Sequence, residues 1–335
     1  MNRIILLDVA KAICIILVVV GHYIPDNSPA WYVMLHDVIY TFHMPLFMFT
    51  SGYVYIATKK EIPYGVFLLK KVRRLMLPYL TTSIVVIVIK LLTQGGMRVD
   101  NPVTFFSFVE MFYMPAAGYF LWFIWALWWM FVLVPLFKRK QDKAVLFGLS
   151  ILLHFIPIGL PQVFCLREFS VMLMYFMLGV FVFEHDCLNH FLKTFNRNKV
   201  IYASVAFILG QSLYFLDVLS IGNFNKKLLF VVLPFVGIWF IIEIAKVTCR
   251  NWINNHETSF LMRVVESSYI IYLFHTTFEG FVKAVLRKFS FDSGMWYVFI
   301  PATAFVILCG VVFPMLLHRI VLKKYRMTKL LFGEK

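Results

Sequence analysis

Charge is what this sequence has least of. Only 15% of its 335 residues are charged, against 61% hydrophobic and 18% aromatic, whereas a soluble domain carries about 25% charged and about 45–50% apolar residues. That is too little charge to cover a water-facing surface. No stretch of about 60 residues is polar enough to fold in water either, so no separate soluble domain is expected. The expectation is an all-α, polytopic membrane helix bundle in which 1–335 forms a single transmembrane domain.

Acidic residues are scarcer than basic ones, 17 Asp+Glu against 32 Lys+Arg, a formal net charge of +15. In a soluble protein such an excess points to nucleic acid. In a membrane protein it arises because basic residues collect in cytoplasmic loops, so no nucleic-acid partner is expected and membrane lipids are. Cysteine is sparse and scattered: Cys14, Cys165, Cys187, Cys249 and Cys309 offer neither a disulfide framework nor a zinc spacing, and no metal is expected. A cleavable leader is not expected. Asp8 and Lys11 interrupt the first apolar run, and Gly21-His22-Tyr23-Ile24-Pro25 lacks the small-residue pattern of a cleavage site, so the first span is retained.

Apolar runs dominate what remains. A span needs about 20 apolar residues, and that ruler gives about ten transmembrane helices, near 4–24, 34–57, 75–92, 119–137, 144–160, 170–185, 200–219, 228–246, 267–286 and 296–318. The fifth and sixth are short and separated by a Pro157/Pro161 turn. Lys59, Lys60, Lys70, Lys71, Arg73 and Arg74 follow span two; Lys138, Arg139, Lys140 and Lys143 follow span four; Lys193, Arg197 and Lys199 follow span six; Arg319 to Lys335 fill the tail. The alternate segments are poor in base: 25–33 has none, 93–118 only Arg98 and 161–169 only Arg167, with Lys226/Lys227 and Arg287/Lys288 as exceptions. The charge bias therefore places both termini in the cytoplasm, as an even number of spans requires. There is no internal repeat of the kind transporters show. Segment 93–118, rich in Phe, Met and Tyr, is too apolar for a free loop and is expected in the interface or folded back over the outer face.

The first span, IILLDVAKAICIILVVVGHY, carries charges that cost about 2.5–3.5 kcal/mol each inside a bilayer. Asp8 and Lys11 can pair on one face; mutual neutralisation, or a place at the interface, is the competing explanation. Lys11 and His22 are eleven residues apart, about 1100° of rotation, or three turns plus about 20°. They therefore share a stripe about 16 Å long, which is expected to line an interior cavity rather than face lipid. The second span ends in YTFHMPLFMFTSGYVY. His43 precedes the helix-bending Pro45, and Ser51-Gly52 follows two turns later; such defects line cavities, although Pro and Gly are also simply frequent in membrane helices.

LDVAKAICIILVVVGHY followed by FHMPLFMFTSGYVY resembles the opening of the acyltransferase-3 family of integral membrane acyltransferases. Within it, the D-x-x-K, V-x-x-G-H and F-H-M-P-L-F…S-G pieces resemble the fucose-4-O-acetylase-like group. KKVRRLMLPYL (70–80), LWFIWALWW (121–129), YFMLGV (175–180) and SSYIIYLFH (267–275) extend the similarity along nearly the whole chain. Lys11 departs from the Arg of many members, and Lys makes no bidentate clamp.

The resemblance implies a multi-pass enzyme of the inner, or plasma, membrane of a bacterium. It would transfer an acyl group, acetyl being the first expectation, from cytoplasmic acyl-CoA (acetyl-CoA) to a hydroxyl of an extracytoplasmic cell-surface glycan or its lipid-linked precursor. His22 would be the general base, Lys11 with Asp8 would hold donor oxygens or transition-state charge, and a covalent acyl-His22 is an open alternative. Lys70, Lys71, Arg73 and Arg74 are placed for the phosphates of CoA, though topology alone accounts for them equally well. His43, Ser51, Trp122, Tyr272 and His275 are the candidate acceptor-binding residues. Plain packing competes for the histidines and Tyr272, and an interfacial aromatic belt competes for the Trp-rich stretch. The rival function is a non-enzymatic carrier or flippase for glycolipid or sugar precursors that uses the same stripe as a path.

Overall fold

The computed structural model describes residues 5–25, 27–96, 99, 101–155, 162–215, 222–250, 260–289 and 295–333. The Pro157/Pro161 turn, Arg98 and Lys335 lie outside them. The described residues form an all-α bundle: α1 Ile5–His22, α2 Ala30–Ala57, α3 Tyr64–Thr93, α4 Tyr119–Leu136, α5 Lys140–Phe155, α6 Val163–Glu184, α7 Asp186–Lys193, α8 Arg197–Phe215, α9 Gly222–Thr248, α10 Phe260–Lys288, α11 Trp296–Leu322 and α12 Arg326–Leu331. Helix α3 contains a π-helical turn at Val72–Met76, and α11 ends in another at His318–Leu322.

Every expected span overlaps one of these helices. Among the described residues, however, six rather than about ten are long and apolar enough to cross a membrane on those criteria alone: α1, α3, α4, α6, Val231–Thr248 of α9, and α11. The others fall short for identifiable reasons. Helix α5 has 16 residues, and α8 begins at Arg197-Asn198-Lys199. Helix α2 is diluted by His36, Asp37, Thr41, His43, Thr50 and Ser51, and α10 by Arg263, Glu266, Glu279, Lys283, Arg287 and Lys288. Among these residues Thr41, His43, Glu279, Lys283 and Arg287 line the cavity described below. The chain is a membrane-embedded, multi-pass bundle. Its outward surface is correspondingly greasy, as at Leu92, Val145, Ile208 and Leu308.

Helix α1 is the central element. It packs on α2, α9, α10 and α11, and residues around its circumference, from Leu7, Val9 and Ala10 to Val18, Val19 and Gly21, are buried. The broadest helix pair is α2 with α6. Its closeness rests on two glycines: a Cβ on Gly52 would overlap the carbonyl of Phe176, and one on Gly179 would overlap the carbonyl of Phe49. Small residues allow this backbone approach where the surrounding lipid gives no hydrophobic driving force. The S-G of the second span and the YFMLGV segment thus meet face to face.

Segment 101–118 folds back over the His22 end of the bundle. The Tyr79 hydroxyl donates to the carbonyls of Met111 and Met114 at 2.7 and 3.0 Å, and the Gln94 side chain bonds both the carbonyl and the amide of Val103 at 2.9 and 3.0 Å. Val103, Met111 and Ala117 are buried beneath it, while Phe105, Phe106 and Phe112 stay exposed on its surface.

Gly52→Val and Gly179→Val should each lower stability by about 1–3 kcal/mol or more, the cost of overpacking, read as loss of melting temperature in detergent. Gly65→Ala, where nothing lies within 4 Å of the added carbon, should leave it unchanged or raise it. Tolerance of valine at both crossing glycines would mean that α2 and α6 are not in close contact.

Candidate active-site cavity

His22 is the last residue of α1, and its half-buried imidazole meets residues from several helices. Its ring centroid lies 5.1 Å from His275 of α10, 5.9 Å from Tyr40 of α2 and 6.3 Å from Phe120 at the start of α4. Tyr40 in turn packs at 4.7 Å on His43. The Tyr272 hydroxyl donates to the Phe120 carbonyl at 2.7 Å and ties α10 to α4.

The hydrogen bonds separate the three imidazoles chemically. Nδ1 of His43 faces the Ile39 carbonyl at 2.8 Å, and Nδ1 of His275 faces the carbonyls of Ile271 and Tyr272 at 3.0 and 2.9 Å. A carbonyl only accepts, so each of these nitrogens carries the proton and each Nε2 is left as an acceptor. Nδ1 of His22 instead faces the Tyr40 hydroxyl at 3.3 Å. A hydroxyl donates or accepts, so its partner tolerates either tautomer and the protonated ring. Of the three, His22 has the surroundings that suit repeated gain and loss of a proton.

His22, Tyr40, His43, Pro45, Trp122 and Tyr272 line a cavity of about 1020 Å³. His275 lies behind His22, fully buried, with its Nε2 unpartnered among the described residues. The cavity does not reach Ser51, Asp8 or Lys11. The expected single polar stripe is therefore interrupted: between Lys11 and His22, helix α1 presents Cys14, Ile15 and Val18, packed to 0, 1 and 2% exposure.

At the other end of α1, Lys11 feels the charge of Asp8, and Lys71 is close enough to feel both Lys11 and Arg74. The Lys71 ammonium stands 3.4 Å from the centre of the Phe131 ring and 5.3 Å from that of Phe67. Lys71 immediately precedes the π-helical turn of α3 and Arg74 lies within it, a distortion common at functional sites. Lys70, Arg73 and Arg74 are all exposed; of these three, Arg74 is the one whose charge acts on Lys71, and none is among the charges acting on Lys11. Of the basic segment the structure thus brings half-buried Lys71 toward Lys11, with Arg74 acting on Lys71 from the surface, where Lys70 and Arg73 also lie.

Sequence reasoning missed Tyr40 and Glu279. Tyr40 precedes His43 by three residues, and the i, i+3 spacing was the available signal. Glu279, four residues beyond His275, is 4% exposed, lines the cavity, and has Oε1 without a partner among the described residues. It occupies a notch between Val19 of α1 and Gly310 of α11, and its charge reaches Tyr32 and Tyr40.

Comparison with known proteins supplies the remaining findings. Residues 4–319 match the acyltransferase domain family of the acyltransferase-3 type. Nodulation protein NolL of Sinorhizobium fredii is 30% identical over 179 residues, covering 50% of this chain and 46% of that protein, so the chain spans about half the length of this curated relative. No solved structure matches.

Imidazole-directed acylation of the purified protein with diethyl pyrocarbonate, read by peptide mass spectrometry, should modify His22 well before His43 or His275. His22 is half-buried on the cavity, whereas His43, though it lines the same cavity, and His275 are buried and held by carbonyls. Equal or reversed reactivity would contradict the tautomer and access argument.

Proposed function

The chain belongs to the acyltransferase domain family, and from that membership we propose that it is an acyl-CoA-dependent membrane O-acyltransferase of the fucose-4-O-acetylase-like group. It moves an acyl group, acetyl in the simplest case, from cytoplasmic acyl-CoA to a hydroxyl of an extracytoplasmic glycan or its lipid-linked precursor. The observation that carries the reading is His22: an imidazole with a hydroxyl partner on a large cavity, eleven residues along one helix from Lys11.

His22 takes the proton from the acceptor hydroxyl as the oxygen attacks the thioester carbonyl. The new C–O bond forms, the C–S bond breaks, and the departing CoA sulfur receives the proton back from the imidazolium. An imidazole suits both halves because its ordinary pKa of about 6.5 lies near working pH. Tyr40 steadies the ring through both protonation states. Lys11, oriented by Asp8, and Lys71 with Arg74 hold the anionic donor, as ammonium and guanidinium groups hold phosphate. A covalent acyl-His22 followed by transfer uses the same groups. His43, Trp122, Tyr272 and His275 shape the acceptor side, and Ser51 serves the α2–α6 crossing.

The topology that goes with this reading is ten spans in one transmembrane domain with both termini cytoplasmic, in the inner membrane of a bacterium. Helices α2 and α10, too polar to qualify by themselves, then cross inside the bundle, where neighbouring helices cover their polar faces, and α5 and α8 cross at its periphery with many of their apolar side chains outward. Cysteines introduced at 27–30 should be labelled from outside, and those at 59–62 only from the cytoplasm. The opposite pattern would put His22 on the donor side and remove the mechanism.

His22→Ala should lose acyl transfer by at least about 10²-fold, the lower range for removing a general base, while acyl-CoA binding measured by calorimetry survives. The wild-type rate should fall as pH drops through the imidazole range, because the protonated ring accepts no proton. Lys11→Ala should instead raise the acyl-CoA requirement or abolish turnover, with Lys11→Arg keeping part of it. Near-normal transfer by a well-folded His22→Ala protein would overturn the assignment, and a carrier would show neither transfer nor acyl-CoA hydrolysis in detergent.

A further inference from the structure

Helix α10 carries a second polar line, of which the reaction described above uses only His275. His275, Glu279, Lys283 and Arg287 follow one another at intervals of four, a spacing that stacks side chains along one helix face. From His275 to Arg287 the line extends about 18 Å at 1.5 Å per residue. One end lies against His22, at 5.1 Å between rings. Glu279, Lys283 and Arg287 all line the His22 cavity, and Lys90, near the end of α3, lines it too.

Two facts separate these cations from ordinary loop charge. Lys90, Lys283 and Arg287 belong to the end of the bundle that carries His22, where basic residues are otherwise scarce, and Arg287 was one of the exceptions to the charge bias. The rule that collects basic residues at the opposite end does not account for them. All three are also half-buried against the cavity rather than extended into solvent. Each already has company: Lys90 donates to the Asn101 carbonyl at 3.1 Å, and Lys283 acts on Glu279. The balance of these cavity-lining groups is nonetheless three cations to one carboxylate, and Glu279, which lines the same space, has a buried Oε1 without a partner among the described residues, beside Gly310.

Resting on the acyltransferase reading, we propose that this cavity recognises an acceptor bearing an anionic group, a phosphate or a sugar carboxylate. Lys283, Arg287 and Lys90 hold that group at the far end of the α10 line, and Glu279 accepts a hydrogen bond from a sugar hydroxyl between them and His22. The order fixes which hydroxyl reacts. Once the anion is seated, only a hydroxyl at the matching distance along α10 reaches the imidazole, because charge-assisted hydrogen bonds are short and directional. The positive rim also draws such an acceptor to the cavity before contact.

The test is direct binding to the purified full-length protein in a neutral detergent, so that it does not require turnover. The probes are farnesyl diphosphate, octyl glucuronide and the neutral octyl glucoside, with phosphatidylglycerol as the headgroup control. At least one of the two anionic probes should bind about tenfold or more tighter than octyl glucoside; whichever binds tighter distinguishes phosphate from carboxylate recognition. The combined Lys283→Gln and Arg287→Gln variant should lose that preference by about tenfold, with acyl-CoA binding and melting temperature unchanged. Glu279→Gln should weaken octyl glucoside and octyl glucuronide alike. Equal binding of neutral and anionic probes, an unaltered preference in the double variant, or equal competition by phosphatidylglycerol would overturn the proposal. Absence of acyl transfer in the wild type is a separate result: it would refute the enzyme reading and leave the binding measurement standing.

Discussion

Everything in this bundle follows from the cost of placing charge within a membrane. Asp8 and Lys11 would each cost about 2.5–3.5 kcal/mol at the centre of a lipid-facing helix. The protein meets that constraint by putting their helix in the middle, with α2, α9, α10 and α11 packed around it. A helix so placed cannot be amphipathic in the ordinary sense: it is buried on several sides, so its polar residues must be matched by polar residues on its neighbours. His22 finds Tyr40 and His275 on its neighbours, and Lys11 finds Asp8 on its own helix. The polar groups of α2 and α10 are the counterpart of those on α1, and they are what keeps these helices from reading as simple spans.

The α2–α6 crossing is the second dependency. Gly52 and Gly179 let the two backbones meet, and this fixes the part of α2 that lies beyond Pro45. The N-terminal part of α2, bearing Tyr40 and His43, then leans on α1 and the cavity. Pro45 itself lines the cavity, in keeping with the tendency of broken membrane helices to have water-accessible space beside them. Pro45 thus separates the half of α2 that lines the cavity from the half that packs on α6.

Helix positions were legible in the sequence because apolar runs of about 20 residues have few alternatives in a membrane. The neighbourhood of His22 was partly legible: rotation arithmetic on a single helix is reliable, and it singled out Lys11 and His22. It could not say what fills the stripe between them, because Ile15 and Val18 are as compatible with a wall as with a plug. Nor could it tell Lys71 and Arg74 from Lys70 and Arg73. That distinction depends on which way a π-helical turn faces, and the local run of basic residues carries no sign of it. Glu279 was overlooked for a related reason: a lone carboxylate near a helix end reads as interfacial until Gly310 and Val19 are seen to close over it.

The packed segment between Lys11 and His22 bears on how a two-sided transfer can operate. A continuous polar path along α1 would join the aqueous phases on the two sides and pass protons and ions. Cys14, Ile15 and Val18 close that path with side chains that exclude water, and the Cys14 thiol is spent on the His43 carbonyl at 3.3 Å. For the proposed reaction, the donor must then displace apolar packing to reach the imidazole, and its own chain replaces what it displaces. On the proposed reading the seal would be kept with and without donor, and a thioester in such a site would meet the acceptor hydroxyl in preference to bulk water. An interrupted stripe suits that chemistry better than a continuous one, because the two polar ends would be joined only while the donor occupies the gap between them.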